Sequence, residues 1–206
     1  MNKKVLKTAE QNFLTMYPGG FLHPEMVAVG KKHKMDQLTA FAMEAFAKEN
    51  FAKPKLVLES AQKLVSRSTL VSMFEKPKFR TFCEELPNKE RKALVEGWFE
   101  LLHGKEKTGF EAALEILGNH KLAKWPLATV VQSYYRPTKE VFIKPTTAKL
   151  IVTHLELDMV YKPTPSWDFY RKFRKAIKEC KSLTTKELAP NNPAYCGFLM
   201  MTLGGE

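Results

Sequence analysis

Apolar positions along this chain recur mainly at three- and four-residue intervals, the spacing of a helix with one buried face, and the two-residue alternation of strands is scarce. The clearest instance is the stretch 166–181. Here Phe169, Tyr170, Phe173, Ala176, Ile177 and Cys180 fall on one arc at about 100° per residue, while Arg171, Lys172, Arg174, Lys175, Lys178 and Lys181 share the other arc with Asp168 and Glu179. The pattern predicts a helix that buries an aromatic seam and turns a positive face to water.

The same periodicity predicts further helices over 3–16, 37–48, 54–67, 88–103, 109–119, 127–135, 145–158 and 193–203, with one or two short helices broken at Pro77 in 69–85. Punctuation supports the division. Pro18 with Gly19 and Gly20 enforces a turn, and Pro24, Pro54, Pro87, Pro126, Pro145 and Pro193 stand at or just before expected helix starts. A short helix opened at His23-Pro24 is expected to be capped by Gly30, and Asp36 is expected to cap the next. Leu38, Phe41, Ala42, Ala45 and Phe46 should face inward, as should Leu56, Val57, Ala61, Leu64 and Val65, then Leu94, Val95, Trp98, Leu101 and Leu102. The expected fold is all-α: about ten short, proline-initiated helices in one domain over 1–206, with a soft boundary near 121–126. The final helix is apolar nearly all round and needs the rest of the protein to cover it.

Composition leaves this picture intact, but charge adds to it. An apolar fraction of 44% with 14 Phe, 6 Tyr and 3 Trp is that of a chain that folds, not of a disordered one. The net charge of +11 is uneven: residues 1–35 hold six lysines against two carboxylates, and residues 136–182 hold 11 basic groups against five acidic ones. A field of that sign concentrates nucleic acid, anionic lipid or acidic protein, although a solubilising coat has the same composition. The cysteines Cys83, Cys180 and Cys196 form no C-x-x-C pair, so neither a zinc ribbon nor a disulfide framework is expected. The charged first dozen residues lack the apolar core of a signal peptide, and the longest apolar run is far short of a bilayer span. Together these set the expectation of a cytoplasmic protein.

Catalytic signatures are sparse. The five histidines lack H-E-x-x-H spacing, and the Gly104–Gly109 stretch lacks the first glycine and the Ser or Thr of a phosphate loop. No metal, cofactor or catalytic residue is therefore assigned. An enzyme assembled from residues distant in sequence stays open as an alternative.

Two features carry the expected function. One is Lys31, Lys32, His33 and Lys34, four consecutive side chains able to bear positive charge at a helix end; favourable interaction with the helix dipole is their alternative explanation. The other is the segment 142–161, whose Thr-started helix, Leu155-Glu156 stretch and turn at Asp158 resemble the recognition helix of winged helix-turn-helix proteins. That resemblance covers about 20 residues and implies that Lys144, Thr146, Thr147 and Lys149 approach a major groove. The connection 136–145 exceeds the 3–4-residue turn of that motif, and a long helix stands where a β-wing is expected; an ordinary N-capped core helix is the alternative. The expected nucleic-acid contacts are Lys31, Lys32, His33, Lys34, Lys144, Lys149, Arg171, Lys172, Lys175 and Lys178. The competing expectation is a helical module that recognises an acidic or amphipathic protein through exposed aromatics: Trp167, Tyr17 and Phe21 first, then Trp125, Tyr134 and Tyr135.

Overall fold

Short polar side chains and prolines set where the helices begin. Asn2, Ser166 and Asn191 each accept a hydrogen bond from a first-turn amide, of Val5, Phe169 and Ala194 respectively. Proline occupies the first or second position of five starts, one of them the helix capped by Asn191. The computed structural model describes residues 1–204, and every regular element in it is helical. In chain order the helices are α1 (Lys3–Met16), α2 (Pro24–His33), α3 (Met35–Ala45), α4 (Pro54–Arg67), α5 (Glu75–Glu85), α6 (Asn88–His103), α7 (Glu106–Asn119), α8 (Trp125–Tyr135), α9 (Pro145–His154), α10 (Trp167–Ser182) and α11 (Asn192–Leu203). The all-α expectation holds, and the bounds of α1, α4 and α6 are those the sequence pattern predicts.

Several boundaries differ for identifiable reasons. Gly30 does not end α2: the helix runs on to His33, and Lys34 takes the left-handed conformation (φ 52°) that separates α2 from α3. Asp36 therefore lies in the first turn of α3 instead of capping it. Pro77 breaks nothing, because it falls in the first turn of α5, where an amide hydrogen is not needed within the helix. Leu56 faces solvent, and Leu58 takes the inward place. Helix α9 stops at His154, and α10 follows where a wing would be, with no strand among the described residues.

Helix α8 is buried along nearly its whole length and packs on α3, α4 and α7, and α11 packs on α1 and α9. Buried apolar side chains from Leu6 to Leu203 form one continuous cluster. No helix among the described residues is long and apolar enough to cross a membrane.

The closest packing joins α6 to α7, which fold back on each other across Gly104-Lys105. Glycine permits it: a Cβ on Gly109 would stand 2.1 Å from the Leu101 amide nitrogen and 2.5 Å from the Gly97 carbonyl oxygen. Gly109→Ala is accordingly expected to force the helices apart, costing about 3 kcal/mol and lowering Tm by roughly 6–12 °C. Gly118→Ala, in the same helix with nothing near its added methyl, should instead be neutral or raise Tm slightly. Thermal melts followed by circular dichroism distinguish the two outcomes.

Candidate nucleic-acid interface

The apolar seam of α10 is buried as its sequence predicts, at Phe169, Tyr170, Phe173, Ala176, Ile177 and Cys180. Its charged arc is not uniform. Arg174, expected to face water, turns inward and donates through Nη1 to Glu140 Oε2 (2.6 Å) and through Nη2 to Glu106 Oε2 (2.7 Å). Glu140 is fully buried, in the linker between α8 and α9, and also accepts from the Tyr170 hydroxyl (2.8 Å). Arg136 Nη2 sits 2.9 Å from Glu140 Oε1, without an aligned hydrogen bond to it; the guanidinium donates instead to the Leu101 and Leu102 carbonyls at the end of α6. Lys139 completes the set by donating to Glu106. This cluster explains why Arg174 leaves the surface: a carboxylate inside the fold needs a cation beside it.

Nearer the start of α10, Arg171 and Lys172 pair with Asp168 at 3.4 and 2.9 Å, all three exposed. Lys175 and Lys178 are exposed and make no ion pair among the described residues.

Two of the segments that carry the other predicted cations are linked to α8. Ser68 Oγ lies 3.0 Å from the Tyr134 hydroxyl, which fixes the segment after α4 against α8. Thr129 Oγ1 accepts from the Ile143 amide (3.1 Å), which fixes the residue before Lys144 against the same helix. Thr69, next to Ser68, lies 2.6 Å from His33 Nδ1. The end of α2 and the start of α9 are thereby brought near each other. The His33 ring registers this: burial, then the charges of Lys32 and Lys144, push its pKa below the usual histidine value. Lys31, Lys32, Lys34, Lys144 and Lys149 are exposed, and none makes an ion pair among the described residues. Of the groove-facing set implied by the recognition-helix resemblance, Thr146 is exposed and Thr147 is buried.

The aromatic anchors are less open than expected. Trp125 and Tyr134 are buried in the core, because α8 is covered on nearly every side. Trp167 is half-buried, with Phe110 and Tyr170 beside it and the Arg174 guanidinium over its ring. Tyr17 and Phe21 pack on Phe13 at ring distances of 5.0 and 5.5 Å. The exposed aromatic is one the pattern did not single out, Phe74, beside the equally exposed Met73. An apolar pair inside the polar run between α4 and α5 is the signal that could have marked it.

Two surface hollows add little chemistry. One of about 370 Å³ lies between Phe51, Pro54, Val95 and Phe99, and one of about 250 Å³ lies between Leu58, Cys83, Glu84 and Arg91. Burial pushes the Cys83 thiol up to about 12, so it is protonated at neutral pH. No group of three metal-ligating side chains occurs among the described residues. Compared with protein-family models, with curated proteins and with solved structures, the chain finds no match in any of the three.

Two stability measurements test this geometry. Glu140→Gln removes the central charge while keeping the shape, and should cost about 3–5 kcal/mol in urea denaturation at neutral pH, because Arg174 and Arg136 lose their shared counter-charge. Acidification should weaken the wild type in two steps. His33 binds a proton more weakly folded than unfolded, so stability starts to fall below about pH 6.5. Burial alone would lift the Glu106 carboxyl, but hydrogen bonds from Lys139 and Arg174 outweigh it and hold the pKa low; its contribution stands above about pH 4.5 and is lost as pH falls through the folded value. Melts across this range should lose the upper step alone in His33→Gln.

Proposed function

We propose that this chain binds nucleic acid, holding a phosphate backbone against the surface where α2 ends and α9 begins. The observation that carries the reading is the convergence of Lys32, His33 and Lys144, from distant parts of the chain, with no carboxylate ion-paired to either lysine among the described residues. Lys31, Lys34 and Lys149 flank the group in sequence and are exposed. Like charges gathered without counter-ions attract a polyanion at long range, and each neutralised phosphate releases condensed cations. The exposed Lys175 and Lys178, with Arg171 and Lys172 beside them, form a second basic face on α10. Surface pairing with Asp168 does not remove the latter two from use, since exposed ion pairs are worth about 0–1 kcal/mol.

Binding should therefore fall steeply with salt. Four lysine contacts on duplex DNA predict a slope of log affinity against log salt of roughly −3 to −4. Lys32→Glu combined with Lys144→Glu should weaken a duplex of about 20 base pairs more than tenfold in fluorescence anisotropy, with an unchanged circular dichroism spectrum. Lys175→Glu with Lys178→Glu measures what the α10 face adds. Affinity that is flat between about 50 and 200 mM salt sinks the reading.

A second reading, a helical docking module for an acidic amphipathic partner, is supported by exposed Leu22, Val27 and Val29 beside Lys31–Lys34. Helix α2 buries only Met26. A protein partner that survives high salt and is lost in Leu22→Ser with Val27→Ser favours that alternative.

A further inference from the structure

We infer that the turn between α4 and α5 is a stacking platform for an unpaired nucleobase, so that the polyanion is single-stranded nucleic acid with Phe74 beneath one of its bases. The inference rests on the nucleic-acid reading above and adds the kind of strand.

The turn is held on both sides of its tip. Before it, Ser68 is buried against Tyr134, its Oγ accepts from the Leu70 amide (3.1 Å), and Val71 is buried. After it, Ser72 Oγ accepts from the Phe74 amide (3.2 Å), and the Ser72 carbonyl accepts from the Glu75 amide (3.0 Å). Between these anchors Met73 and Phe74 are 73% and 75% exposed. An aromatic ring offered to water from an anchored turn loses little freedom on binding, and its face suits any base.

Cations bracket the tip from two directions. Thr69 contacts His33, which lies within reach of the Lys32 and Lys144 charges. Glu75, immediately after Phe74, lies within reach of Lys124 and Lys78. The contact between Thr69 and His33 ties the base of this turn to the basic end of α2, and the exposed Lys78 follows Phe74 by four residues in α5, so a strand stacked on the ring has cations within the same segment for its phosphates. In a duplex the base faces are already stacked on each other, so the ring has nothing to cover.

The test compares oligo-dT of about 15 nucleotides with a duplex of equal length, by fluorescence anisotropy, using wild type, Phe74→Ala, Phe74→Tyr and Lys32→Glu with Lys144→Glu. Phe74→Ala should weaken the single strand about tenfold, Phe74→Tyr should preserve it, and the duplex should change less than twofold in both. The lysine pair should weaken both nucleic acids. If Phe74→Ala leaves the single strand unaffected, or weakens both forms equally, base stacking is overturned while the nucleic-acid reading stands. Failure of the wild type to bind either oligonucleotide overturns both. Co-sedimentation with phosphatidylserine vesicles that depends on Phe74, without a single-strand preference, overturns the inference in favour of a membrane surface.

Discussion

Glu140 is the constraint around which the C-terminal half is arranged. A fully buried carboxylate is costly to desolvate, and it persists only where cations and donors replace the lost water. Arg174 reaches it from α10, Arg136 from the end of α8, and Tyr170 from the same seam as Phe169 and Phe173. The backbone joins in: the Asn192 amide group donates to the Glu140 carbonyl (2.9 Å), and Lys181 in turn donates to Asn192. One side chain and one carbonyl thereby tie α8, α10 and α11 to a single point, and Glu106 of α7 joins through Arg174. The buried residues Val141, Phe142 and Ile143 follow directly, and Lys144 is where the chain regains the surface. The Ile143 amide, bonded to Thr129 Oγ1, fixes the chain just before it.

The same network separates net charge from surface field. Of the 11 basic groups in 136–182, Arg136, Lys139 and Arg174 are committed to Glu106 and Glu140, so they contribute little to what an approaching anion meets. The formal charge of +11 overstates the attraction of the α10 face and understates the importance of a few lysines elsewhere. What matters is which cations lack a fixed carboxylate. By that criterion the surface at Lys31, Lys32, Lys34 and Lys144 outranks α10, where Asp168 stands at the N-terminal end of the basic arc.

The helices were legible in the sequence because their signals are local. A buried stripe every three or four residues and a proline at the start need no knowledge of the rest of the chain, which is why α1, α4 and α6 match their predicted bounds. Helix ends were less legible where two local rules compete. Gly30 is a good terminator in isolation, but the chain continues until Lys34 can turn, and Pro77 breaks a helix only beyond the first turn. The site was legible only as a list of cations. Nothing local says that Arg174 and not Arg171 will turn inward, since that is decided by Glu106 and Glu140 on other elements. Trp125 and Tyr134 are buried against expectation for the same reason: α8 has apolar residues on several faces, and the neighbours that cover them come from α3, α4 and α7.

The basic turn also bears on why a lysine coat and a binding surface differ physically. A coat that serves solubility gains by spreading its charges, since self-repulsion between like groups destabilises the compact state. Here burial, and after it the charges of Lys32 and Lys144, oppose protonation of His33, and no carboxylate is ion-paired to either lysine among the described residues. A phosphate group at this place would reverse the sign of that term: it would attract both ammonium groups and favour the charged form of the imidazole. An anion here would thus act on the imidazole with the opposite sign to the two lysines.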